Sequence, residues 1–147
     1  MSFIHKVALC AGMVVSVATF SAEALYTVQS DSLMGTTLFD QSLSGEGMIT
    51  VKPSIPASAT GDLEVMSQCL WSVKVVLTDG TTHFEPGKMV CVGPKQEVLE
   101  TIPHGNFDGF GECDSGCEHF LVAGSSEVVL NLAEPLSFTL QPRNERK

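Results

Sequence analysis

The chain has 147 residues, 44% of them hydrophobic, and a formal net charge of −9. That acidity makes nucleic acid and anionic membranes poor partners. Residues 25–147 fit one domain, long enough to bury roughly two thirds of its unfolded surface without needing disulfides to fold.

The N-terminus reads as an export signal. Residues 1–6 carry one lysine and no acid, residues 7–20 are apolar or small, and Ala22-Glu-Ala24 has the spacing that signal peptidase cuts after. The 14 residues from Val7 to Phe20 would rise only about 21 Å as a helix, short of a hydrocarbon core of about 30 Å, which argues against an anchor. Cys10 follows the bulky Leu9, where a lipobox needs a small residue, so it is expected to leave with the signal. The mature chain should begin near Leu25, with no membrane span, in a periplasmic or extracellular setting.

Residues 25–60 read as N-terminal strands and a Pro-rich linker. Leu25-Tyr-Thr-Val-Gln29 alternates as a strand does, and Gly47-Met-Ile-Thr-Val51 is apolar and β-branched. Residues 42–47 read as a loop with two glycine hinges. Residues 52–61 hold two prolines, which remove backbone donors and suggest a turn or linker.

The body is expected over residues 61–140. Residues 68–78 give the clearest strand: Cys69, Trp71, Val73, Val75 and Leu77 fall on one face by the period of two, and that face should be buried. Asp79-Gly80 supplies a hairpin turn, and the return strand runs over residues 81–92. Proline and glycine at positions 86 and 87 suggest a bulge or second turn at an edge. A plain two-residue turn sets Cys69 opposite Val90. One extra residue near Pro86-Gly87 sets it opposite Cys91, within disulfide range.

Residues 97–102, 118–123, 127–132 and 136–140 complete the strand candidates, and the polar, basic residues 141–147 read as a tail. Seven or eight short strands of this kind predict an all-β fold, an antiparallel β-sandwich of immunoglobulin-like architecture. The true immunoglobulin signature is absent, because Trp71 stands two residues after Cys69 instead of on a separate strand.

Chemistry concentrates in residues 107–120. In an exported chain Cys69, Cys91, Cys113 and Cys117 allow three pairings, of which Cys69–Cys91 with Cys113–Cys117 fits the hairpin and the tight Asp-Ser-Gly interior of the second loop. A thiol-redox or sulfur-ligated metal site at Cys113, Cys117 and His119 is the alternative. The acidic surroundings oppose a reactive thiolate, and metal ligation needs free thiols. Asp108, Asp114 and Glu118, with Glu112 beside them, offer oxygens that could make this a calcium-stabilised module, although their order does not match an EF-hand loop. No other cofactor is implied, and no nucleophile stands in a hydrolase pattern. The chain is read as non-catalytic.

Recognition remains. Residues 96–142 contain no lysine or arginine and eight carboxylates. The expectation is a binding or assembly module whose clipped loop presents Phe107, Asp108, Phe110, Glu112, Asp114 and Glu118 to a basic protein, such as a secreted enzyme or a surface-structure subunit. Phe107 and Phe110 are expected to be exposed, and Phe120 to fold back onto the core.

Overall fold

The computed structural model describes residues 23–78, 80–113 and 116–142. The expected signal peptide covers residues 1–24, of which 1–22, Cys10 among them, lie outside those described, as do Asp79, Asp114, Ser115 and residues 143–147. Among the described residues the fold is all-β and antiparallel, with thirteen strands where the sequence predicts seven or eight.

In chain order these are β1 (Tyr26–Gln29), β2 (Ser32–Thr37), β3 (Gln41–Leu43), β4 (Glu46–Ser54), β5 (Thr60–Gly61), β6 (Cys69–Thr78) and β7 (Thr81–Val92). There follow β8 (Val98–Thr101), β9 (Gly105–Phe107), β10 (Glu112–Cys113), β11 (Phe120–Val122), β12 (Glu127–Leu132) and β13 (Leu136–Leu140). A 3-10 turn, Leu63–Ser67, precedes β6. All eight sequence-predicted strands form. The additional ones are short or glycine-bearing: β2, β3, β5, β9 and β10.

Ten strands make one open sheet in the order β5-β1-β13-β8-β7-β6-β4-β2-β12-β9, and β10-β11-β3 make a second, smaller one. The N-terminal strands are woven through the body, since β4 pairs with β6 and β2 with β12. Residues 52–54 continue β4, so the linker expected from Lys52 onward does not begin there. Pro53 is tolerated because β6 pairs with β4 only as far as Val51, so the missing proline donor breaks no β4–β6 bond.

The large sheet curls over on itself. β9 and β6 are separated by three strands, which in a flat sheet would place them about 19 Å apart at about 4.8 Å per step. Yet Phe107 of β9 stacks on Trp71 of β6 with ring centroids 5.5 Å apart. The inner faces of the central and outer strands therefore meet in one core, which includes Val28, Leu33, Val73, Leu99, Leu130 and Phe138, each fully buried.

The β6–β7 hairpin is the frame of this core. The odd positions from Cys69 to Val75 are buried and Leu77 is half-buried, as the alternation predicts. Pairing runs Thr78↔Thr81 through Val73↔Pro86, then slips by one residue so that Trp71 faces Met89 and Cys69 faces Cys91. The slip is the expected bulge, and it sets the Cys69–Cys91 disulfide in the ladder. Gly87 sits at the slip because a Cβ there would stand 2.5 Å from the Ser72 carbonyl oxygen. Pro86 lies where β7 has β6 on one side only, because β8 pairs with it only from Met89 to Val92.

Candidate functional site

The loop between β9 and β11 is held from three directions. At its start, the Asp108 backbone N–H donates to the Val129 carbonyl at 3.0 Å, and the Asn131 side-chain amide donates to the Asp108 carboxylate at 3.0 Å. At its centre, Glu112 pairs with Leu121 and Cys113 with Phe120, which joins the loop to β3 through the small sheet. At its far side, the Cys113–Cys117 disulfide lies against β7, with the Thr82 hydroxyl 3.0 Å from Cys113 Sγ and 2.9 Å from Cys117 Sγ.

The phenylalanines do not face solvent together. Phe110 is 8% exposed and belongs to the core, its ring 4.4 Å from that of Phe84. Phe107 is half-buried against Trp71 and Phe84. The expectation of an exposed Phe107–Phe110 pair is corrected. The reason is Phe84, which shares the inner face of the hairpin with Val75 and gives the loop rings an aromatic surface to cover. Phe120 is 2% exposed and lies against both Phe84 and Phe110, as expected. Offset and edge-on ring pairs of this kind contribute about 0.5–1.5 kcal/mol each beyond their burial. The fold of the loop depends on Gly111, whose φ of +73° places it in the left-handed region, and a Cβ there would overlap the Phe120 ring.

With its rings turned in, the loop turns its charge out. Asp108, Glu112, Glu118 and His119 are exposed; Asp114 lies outside the described residues. The small sheet sets Glu112, Leu121 and Ser42 in one register row, all three exposed, with Leu121 at 49%. The opposite row holds Cys113, Phe120 and Leu43.

The sequence reading missed Leu121, Thr82 and Phe84. The hairpin register could have found the last two, since the plain turn sets Thr82 opposite Leu77 and Phe84 opposite Val75. Leu121 alternates with the buried Phe120 and Val122, which marks it as the outward residue of β11.

Both sulfurs of the loop are in a disulfide, so neither is a free thiolate for metal or redox work in this form. Among the described residues, no group of three or more His, Cys, Asp or Glu side chains is arranged to hold a metal ion. No described helix is long and apolar enough to cross a membrane. Two disulfides are more typical of exported proteins than of cytosolic ones.

No protein-family profile, curated protein or solved structure matches the chain.

Proposed function

We propose that this is an exported, non-catalytic binding or assembly module that contacts a basic protein partner through the clipped loop. The observation that carries the reading is the division of labour within the loop: Phe110 and Phe120 are sunk in the core while Asp108, Glu112 and Glu118 are exposed. A loop anchored in this way loses little conformational entropy on binding, which favours affinity. Its charge has one sign, because residues 96–142 contain no lysine or arginine, and this would steer a cationic partner towards it.

Leu121 supplies the apolar element. It takes the part in the contact surface that the sequence reading gave to Phe107 and Phe110, standing exposed beside Glu112 in the register row. An apolar side chain with a carboxylate beside it suits the centre of a contact whose rim is electrostatic. What supports an immunoglobulin-like sandwich as the architecture behind it is the curl that brings Phe107 onto Trp71. A secreted enzyme or the neighbouring subunit of a surface structure fits such a site; nucleic acid does not.

The test uses protamine and lysozyme as basic probes against the immobilised protein at low and high salt. Wild-type protein should retain at least one probe at low salt and release it as salt rises. Glu112→Lys with Glu118→Lys should abolish retention, and Leu121→Ser should weaken it at both salt levels. Equal retention by wild type and the charge-reversed variant would sink the reading.

A further inference from the structure

The two disulfides occupy very different places. Cys69 and Cys91 are 8% and 0% exposed, opposite one another in the ladder of the longest hairpin. Cys113 is exposed and Cys117 is 8% exposed, at the end of a two-residue strand on the surface. A bridge is broken by a thiolate that must reach one of its sulfurs, so access separates the two.

We propose that Cys113–Cys117 is a site of thiol–disulfide exchange, opened by a dithiol reductant that attacks at Cys113, while Cys69–Cys91 is structural and stays closed. The proposal does not depend on the partner-binding reading. In the first step the reductant thiolate forms a bond to Cys113 Sγ. The Cys113–Cys117 bond breaks, and its electron pair goes to Cys117 Sγ. In the second step the other thiol of the reductant, as its thiolate, attacks the mixed disulfide. Cys113 leaves as a thiolate, the reductant departs as a cyclic or intramolecular disulfide, and both chain thiolates take protons from solvent. Two electrons and two protons pass to the chain, and the dithiol is oxidised.

Exposure gives the attack its direction, towards Cys113, and Thr82 assists at both sulfurs. Its hydroxyl lies 2.9 Å from the Cys117 sulfur, within reach to donate to the charge that develops there when the bond breaks. It is equally close to Cys113 Sγ, so it can follow the charge to either sulfur as the exchange proceeds. Thr82 touches the reacting sulfurs from outside the loop, on β7, which is paired with β6 along most of its length.

Opening the clasp would loosen what it holds. Among the described residues, the pairs Glu112↔Leu121 and Cys113↔Phe120 keep the segment in register across β10 and β11. Reduction is expected to speed amide exchange at Phe110–Cys113 and Cys117–Phe120 and to leave β6 protected.

The experiment treats the folded protein with dithiothreitol in the absence of denaturant, quenches with an alkylating agent at timed intervals, and maps the modified cysteines by mass. The expected result is two alkyl groups on Cys113 and Cys117 before any appears on Cys69 or Cys91. Thr82→Val should slow the reaction several-fold, and Thr82→Ser, which keeps the hydroxyl, should retain the wild-type rate. Hydrogen exchange on the reduced, alkylated protein then reads the loop and β6 separately. The proposal fails if the two bridges are reduced together, or if Cys113–Cys117 resists until denaturant unfolds the chain. It also fails if Thr82→Val reacts at the wild-type rate, or if the loop amides keep their protection after reduction.

Discussion

Trp71 donates its indole N–H to the Gly87 carbonyl at 3.1 Å, at the point where the β6–β7 register slips by one residue. The bond ties the largest core side chain to the bulge that aligns Cys69 with Cys91. Gly87→Ala would drive a Cβ against the Ser72 carbonyl oxygen, 2.5 Å away, and the ladder would have to shift to admit it. A loss of about 1–3 kcal/mol is expected, the range for overpacking a tight site. A urea titration followed by the emission of the single tryptophan measures it, and an unchanged midpoint would contradict this account of the bulge.

Phe110 and Phe39 make a matched pair of opposites. Phe110 is 8% exposed within the aromatic cluster, and Phe39 is 58% exposed in the connection between β2 and β3. Phe110→Ala should cost about 3 kcal/mol, as emptying a buried aromatic site does. Phe39→Ala should stay within about 0.5 kcal/mol of wild type. If the two variants unfold at the same denaturant concentration, the loop does not rest on Phe84 as described.

Much of the frame was legible in the sequence because it is written in alternation. Cys69, Trp71, Val73 and Val75 announce their buried face by period two, and Pro86-Gly87 announces the bulge that the disulfide register requires. Alternation is silent where strands are short. β9 and β10 have three residues and two, and β2 carries Gly35 in its middle, which reads as a break. The orientation of Phe110 was not legible either. It is set by Phe84, 26 positions earlier in the chain, and a glycine-rich loop has no period that could report such a contact.

The two bridges should differ in what they stabilise. By loop-closure entropy, Cys69–Cys91, with a sequence separation of 22, should contribute about 3 kcal/mol. Cys113–Cys117, with a separation of 4, should contribute about 2 kcal/mol. Paired Cys→Ser variants compared by chemical denaturation should keep that order. The reverse order would mean that the loop clasp carries more of the fold than its place at the surface implies.

Tyr26 donates its hydroxyl to Glu97 at 2.6 Å, joining β1 to the segment before β8. That hydrogen bond is the main reason the Glu97 carboxyl titrates below its usual range, and backbone donors add to it. Unfolding therefore takes up a proton at Glu97 in acid. Its contribution is fully present above the ordinary carboxylate pKa and is lost as pH falls through the lower folded value. The Tyr26 hydroxyl is shifted upward, chiefly by the same bond, so its contribution is present below about pH 10 and is lost as pH rises through the folded value. Tyr26→Phe should be less stable than wild type at neutral pH, with the gap closing at both extremes. A gap that stays constant across the pH range would show that the bond is not what the substitution removes.

We propose that the acidic face of the loop is the surface this protein uses. Placing a photo-cross-linking side chain at Glu112, and separately at the exposed Thr36 of β2 as a control, tests it in the cells that make the protein. The account predicts a discrete adduct from position 112 with a basic protein, diminished when salt is raised before irradiation, and none from position 36. No adduct at 112, or the same adducts from both positions, would contradict it.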